Sequence, residues 1–263
     1  MFPKEHGAWN ALLVSLAAGW FALGEWNDAA FFASLFWLSG FTARAPFSTA
    51  RQYWKADPPK AYRAVFFFLI LFFVFFVSGC LFLANAPLED INLATQWGLP
   101  IGSLIFILVA GKKNLRHWGI EVIGFTGLTL LTPVLYLSKP SAGLTKAYLL
   151  FMIFGGYFIL AVFYVKVRQA WVAMARTGKV LRMKQRAWDG SAIFLVHVMF
   201  VAIVLAVSRI HLGMAAGPLY ALARAFAGLM WGKPHLPLMK LGMREMIHSI
   251  IYTVVVFYFW FFP

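Results

Sequence analysis

Acidic residues and cysteine are scarce in this chain. Only 9 Asp and Glu stand against 23 Lys and Arg in 263 residues, and there is one cysteine. A lone Cys80 rules out an internal disulfide and any Cys-built zinc or iron–sulfur centre, and reads as a small buried or lipid-facing residue. Charge of either sign is thin as well, at 12% of residues, where soluble domains carry roughly 25%. With 62% hydrophobic and 18% aromatic residues, the composition is that of an integral membrane protein. Little chain is left over for a separate extramembrane domain, so 1–263 is expected to form a single transmembrane helical domain.

The apolar runs read as spans at 9–24, 29–43, 62–84, 93–110, 117–137, 147–165, 190–208, 212–231 and 246–262. That makes an all-α bundle of about nine helices of roughly 20 residues each. The runs are continuously apolar and lack the alternation of a lipid-facing strand, which excludes a transmembrane barrel. The first run follows one Lys as in a signal peptide, but no small-residue cleavage site comes after it, so it is read as the first helix. Loops fall at about 44–62, 111–116, 166–189 and 232–245. Thr129, Thr132 and Pro133 predict a kink in the fifth span, and Gly213-x-x-x-Gly217 fits close helix packing in the eighth.

Positive charge is sorted by side. Of the 23 Lys and Arg, all but Lys139, Lys146, Arg209 and Arg224 fall at the N-terminus or after even-numbered spans. Loops rich in Lys and Arg stay cytoplasmic, so the N-terminus is expected inside and the C-terminus outside, in a bacterial inner membrane. The acidic Glu25/Asp28 and Glu89/Asp90 turns fall on the opposite side. A net charge of +14 here points to anionic lipid headgroups rather than to nucleic acid.

Two basic stretches stand out as a candidate site. Pro46 can open a helix in which Arg51 and Lys55 share a face at i, i+4, with Arg44 just before it and Asp57-Pro-Pro closing it. After the sixth span come Lys166 and Arg168, followed by Arg176, Lys179, Arg182, Lys184 and Arg186. Both stretches fit ordinary topology signals, and both fit contact with a phosphate or carboxylate head. Within the spans, Glu121 and Arg224 are costly in hydrocarbon and so face the interior; either can partner the other, and Arg224 can equally snorkel to the interface. His197 and His248 read as structural singletons, because a metal needs several converging ligands.

The most distinctive string is Pro3-Lys4-Glu5-His6-Gly7-Ala8-Trp9 with Asn10 after it. It joins a cation, an acid and an imidazole at the foot of a membrane helix. It serves either as an interfacial anchor or as part of a ligand site. The string resembles the opening of the YwiC-like family of bacterial polytopic membrane proteins. Phe163-Tyr-Val-Lys-Val-Arg168 and Lys240-Leu-Gly-Met-Arg-Glu245 extend the likeness along the chain. The layout also looks like that of UbiA-type intramembrane prenyltransferases, whose two Asp-rich cytoplasmic loops hold Mg²⁺ and a prenyl diphosphate. Here 44–55 and 164–177 contain no acid, so no metal-binding residue carries over and no metal is expected.

Three functions follow. The leading one is a basic cytoplasmic-side cavity for an amphiphile with an anionic head: an isoprenoid phosphate, a phospholipid or a quinone-related lipid. Its contacts would be Lys4, His6, Arg44, Arg51, Lys166, Arg168 and Arg224. A second is a metal-independent transferase on the same site with His6, Glu5 or Glu121 as acid or base. The third is an accessory subunit of a larger bioenergetic membrane complex, held by the Phe-rich third span and the aromatic tail at 257–262.

Overall fold

The structure, a computed structural model, describes residues 6–86, 118–176, 183–207, 212–230 and 238–261. Among these every regular element is helical. In order they are α1 (His6–Leu23), α2 (Asp28–Tyr53), α3 (Pro58–Asn85), α4 (Trp118–Thr129), α5 (Leu131–Leu137), α6 (Leu144–Arg176), α7 (Met183–Val207), a 3₁₀ turn (Leu212–Ala215), α8 (Ala216–Met230) and α9 (Leu238–Phe261). The segments Pro58–Asn85, Leu144–Met174 and Trp188–Val207 are long and apolar enough to cross a membrane; Gly7–Leu23 and Glu121–Leu137 are shorter apolar helices. Among the described residues the protein is thus all-helical, with three helices of membrane-crossing length and apolarity, as in a membrane protein. The expected span 93–110 and loop 111–116 lie outside the described residues.

Two stretches expected as loops are largely helical. Of 44–62, only 54–57 leaves the helical state, because α2 runs through Pro46 to Tyr53 and α3 starts at Pro58. Pro46 removes a single backbone donor from α2, and the helix recovers beyond it. Asp57 caps α3 by accepting from the Lys60 N–H at 3.2 Å, with prolines at the first helical positions. Lys55 therefore falls in the turn and does not extend a helical face with Arg51. Likewise α6 continues past its apolar stretch to Arg176, since no glycine or proline interrupts 157–176. Residues 177–182, with Lys179 and Arg182, lie outside the described ones.

By their internal contacts the residues divide into two compact units, Met1–Ala147 and Tyr148–Pro263. In the first, α1 packs on α4 and α5, while α2 packs on α3 and α5. Gly24 ends α1 with φ +75°, a left-handed conformation that suits glycine, and its N–H reaches the Trp20 carbonyl at 3.1 Å. Asn27 then caps α2 through Ala30 N–H and donates from Nδ2 to the Ser138 carbonyl at 2.9 Å. Lys139 meets Glu25 at 3.2 Å, so the turns after α1 and α5 share one end of the unit. Where a kink is expected, only Leu130 separates α4 from α5, and backbone hydrogen bonds from Leu130 to Thr126 (3.2 Å) and from Val134 to Leu130 (3.3 Å) carry the ladder across it. Pro133, just past Leu130, has no backbone N–H to give the ladder. Its neighbour Thr132 ties α5 to α1, donating to the Ser15 carbonyl at 3.0 Å.

Helix pairs lock where a glycine faces a ring. Gly40 of α2 lies under Phe75 of α3 and Gly79 of α3 lies under Phe36 of α2, with the two rings stacked at 4.1 Å. In the second unit Gly213 faces Phe259 and Gly217 faces Val256 and Tyr252, so the small-residue spacing does mark the contact with α9. Phe154 and Tyr157 of α6 pack on Tyr252 from the same side of α9.

The tightest such fit in the first unit is at Gly19, where an added Cβ would stand 2.6 Å from Leu135 Cδ1 and 2.7 Å from its Cβ. Gly19→Ala should cost about 1–3 kcal/mol of stability, and Leu135→Ala in the same chain should recover part of it. Reversible unfolding in mixed detergent micelles reads both.

Candidate functional site

The polar groups of the second unit collect where α6 and α8 cross. Tyr164, Arg168 and Trp171 recur at helical spacing along one face of α6, opposite Arg224, Ala225, Gly228 and Leu229 of α8. Gly228 makes the approach possible: a Cβ there would occupy the place of the Tyr164 hydroxyl. Through this gap the Arg168 guanidinium donates to the Gly228 carbonyl at 2.8 Å. Its carbon lies 5.5 Å from the centre of the Trp171 ring, and the indole N–H donates to Asp189 at 3.0 Å. Arg168 is only 2% exposed, so its charge is compensated by a carbonyl dipole and a π face rather than by water.

One turn away, Arg224 sits over the Tyr164 ring at 4.4 Å and forms an ion pair with Glu245 of α9. Both partners are largely buried. Desolvated charges of opposite sign persist together where either alone would not. Ala225, Leu229, Ile193 and Leu241 close the apolar floor beneath Tyr164 and Trp171.

A second polar layer lies beside the ion pair. Tyr157 stacks on Tyr252 at 4.0 Å, and the Tyr252 hydroxyl donates to the Ile153 carbonyl at 2.8 Å. Tyr220 and His248 share a hydrogen bond of 2.6 Å. His197 Nδ1 lies 2.8 Å from the Ile193 carbonyl.

The sequence candidates are distributed as follows. Arg168 and Arg224 come together in this site. Lys166 lies on α6 about 160° around the axis from Arg168, at 100° per residue, and is half-buried. Arg44 and Arg51 stand on α2 of the first unit, half-buried and exposed respectively. Glu121 lies in the first turn of α4 in that same unit, and the acid that pairs with Arg224 is Glu245. His6 opens α1, while Lys4 and Glu5 lie outside the described residues. Among the described residues no three His, Cys, Asp or Glu side chains converge as a metal would require.

Glu245, Tyr164, Trp171 and Asp189 are not among the sequence candidates. A buried arginine demands an acid, but the sequence offers both Glu121 and Glu245, and only the crossing of α8 and α9 pairs Arg224 with Glu245. The ion pair gives a sharp expectation. Glu245→Gln should destabilise the protein by about 3–5 kcal/mol by stranding Arg224, whereas Arg224→Met with Glu245→Met should be near neutral. Unfolding in detergent micelles, compared across the three proteins, measures it.

No curated protein and no solved structure matches the chain. The sequence profile of the YwiC-like protein family matches residues 2–136. That stretch holds the Pro3–Trp9 string and nearly all of the helices from α1 to α5, and stops short of 163–168 and 240–245, which hold Arg168 and Glu245. With a match over half its length, the chain belongs to the YwiC-like family.

Proposed function

We propose that the protein is a multi-pass protein of the bacterial inner membrane that holds an amphiphile by an anionic head at its basic cytoplasmic ends. The observation that supports this reading is that α2 and α6 both run beyond their apolar stretches as helices carrying cations and no acid. After Asp28, α2 has Arg44 and Arg51 and no Asp or Glu; α6 has Lys166, Arg168 and Arg176 and no Asp or Glu. Arg44 and Arg51 are seven residues apart, which puts them about 20° apart around the axis and about 10 Å along it. Cations so spaced on a helix suit a phosphate or carboxylate at the membrane surface better than cations on a loop, since the helix keeps their spacing. Lys4 and His6 at the foot of α1 would add to the contacts of the first unit. In the second unit Lys166 would meet the head, while Arg168 and Arg224 are engaged by the Gly228 carbonyl and by Glu245. The head chemistry is shared by an isoprenoid phosphate, a phospholipid and an ionised quinone-related lipid.

The topology that goes with this reading is about nine spans, with the N-terminus cytoplasmic and the C-terminus outside. After Cys80→Ala, single cysteines introduced at Ser141 and at Gln52 should label from opposite faces of sealed vesicles. Labelling from the same face would overturn the orientation argument.

The headgroup reading has its own measurement. Native mass spectrometry of the protein released from nanodiscs should show phosphatidylglycerol retained over phosphatidylcholine. Arg44→Ala with Arg51→Ala should lower that retention several-fold, as two charge-assisted contacts are lost. Equal retention of the two lipids, or no change in the double variant, would remove the basis for an anionic head.

A second reading, an accessory subunit of a larger bioenergetic membrane complex, draws on α3. Phe66, Phe67, Phe73 and Phe76 are all more than half exposed, so the helix turns a broad aromatic face outward. Purification in a gentle detergent followed by sizing discriminates: a stoichiometric partner favours this reading, and a monomer coated only with lipid favours the first.

A further inference from the structure

The hairpin that joins α2 to α3 in the first unit ends in a tip that is aromatic and cationic at once. From 51 to 63 it holds Arg51, Lys55, Lys60 and Arg63 against one acid, Asp57, and that acid is spent as the cap of α3. Trp54 and Tyr62 meet edge to face across the turn with ring centres 6.0 Å apart, yet stay 56% and 64% exposed. Lys60 Nζ lies 3.6 Å from the centre of the Tyr53 ring, so a second contact holds the tip in shape. Lys55 and Arg63, which follow Trp54 and Tyr62 in the chain, are exposed.

Contacts along the hairpin fix how far the tip stands from the apolar body. Gly40 lies under Phe75, Phe47 meets Phe68 and Trp54 meets Tyr62, a register in which Arg51 falls level with Ala64. From Ala64 to Ala84 α3 is apolar almost throughout. At about 1.5 Å per residue that run is about 30 Å long, the thickness of a hydrocarbon core. The part of α3 before it, from Pro58 to Arg63, adds about 9 Å. A headgroup layer is roughly 5–8 Å deep on each face of a bilayer. The tip therefore fills that layer and leaves little to project beyond it toward a soluble partner.

The exposed face of α3 runs straight into the tip. Tyr62 opens a stripe that continues through Phe66, Leu69, Phe73 and Phe76 at three- and four-residue spacing, and every one of them is exposed. A lipid chain laid along this stripe brings its own head to Tyr62, Trp54 and the cations beside them. Amphipathic rings suit the border between chain and head, and Lys and Arg suit the phosphate. We propose that the α2–α3 tip is a clasp for the anionic phospholipids packed against α3, with Trp54 and Tyr62 at the level of the acyl esters and Lys55 and Arg63 on the phosphates. The clasp rests on the preceding reading and deepens it, naming a place in the first unit and a source for the head. A phospholipid is that source because an open helix face, unlike a closed pocket, takes the lipid that the leaflet supplies in bulk.

The probe is phosphatidylglycerol in nanodiscs that also hold phosphatidylcholine, with the full chain released and weighed by native mass spectrometry. Lys55→Gln with Arg63→Gln should lower phosphatidylglycerol retention about tenfold, the weight of two cations beside an anionic surface, and leave phosphatidylcholine retention unchanged. Both positions are exposed, so the core is untouched. Depth is read by a nitroxide on Ala56→Cys in the Cys80→Ala chain. In nanodiscs it should collide with a water-soluble nickel chelate far less often than a nitroxide in water, and Trp54→Ala with Tyr62→Ala should restore the collisions. The clasp is overturned if the double glutamine variant retains phosphatidylglycerol like the parent chain. It is equally overturned if the nitroxide collides as freely with the two rings in place as without them, as at a tip left in water or held by a soluble acidic partner. Arg44→Ala with Arg51→Ala tests the preceding reading separately: a loss of retention there, with none in the double glutamine variant, strikes the tip alone.

Discussion

Everything in this molecule depends on how closely its helices can approach. Between helices in hydrocarbon the hydrophobic effect supplies little, because a lipid tail covers a leucine as well as another helix does. What remains is dispersion across well-fitted surfaces, and dispersion falls off within about an ångström of the optimum. Glycine facing a large side chain is the fit used here. Gly40 and Gly79 receive each other's neighbouring phenylalanines across α2 and α3, and the two rings stack as a result. Gly19 under Leu135 and Gly217 under Val256 serve the same end in α1/α5 and α8/α9.

The polar site of the second unit follows from the same constraint. Without a glycine at 228, Tyr164 could not lie against α8, and the Arg168 guanidinium would have no backbone carbonyl within reach. Close approach brings the aromatic faces under both arginines and leaves no room for water around them. The arginines must then be compensated by protein: a carbonyl and a ring for Arg168, a carboxylate and a ring for Arg224. Packing here sets the electrostatics.

Much of the fold is legible in the sequence because membrane helices declare themselves by length and apolarity. The contact through Gly213 and Gly217 is equally readable, since it follows from local backbone chemistry. Properties that join two distant helices are not. Glu121 and Glu245 are both acids near a membrane helix, and nothing in composition says which one Arg224 will meet; only the crossing of α8 and α9 does. Helix ends escape the sequence for a related reason. Positions 44–53 and 166–176 are too polar to continue a span, but polarity ends a membrane segment without ending a helix, and only a cap such as Asp57 does that.

The basic character of the sequence therefore covers two physically different populations of cation. Arg44 and Arg51 stand at the half-buried to exposed end of a helix, where a charge is felt by the medium and is screened within about 8 Å at physiological salt. Arg168 and Arg224 are buried, held by protein groups and shielded from that screening. Net charge counts them alike, yet only the first population can attract a headgroup from a distance, while the second gives a rigid, nearly neutral interior in which hydrogen bonds are strong because water is excluded. The overall charge of +14 therefore overstates the charge that the surface offers to a lipid head.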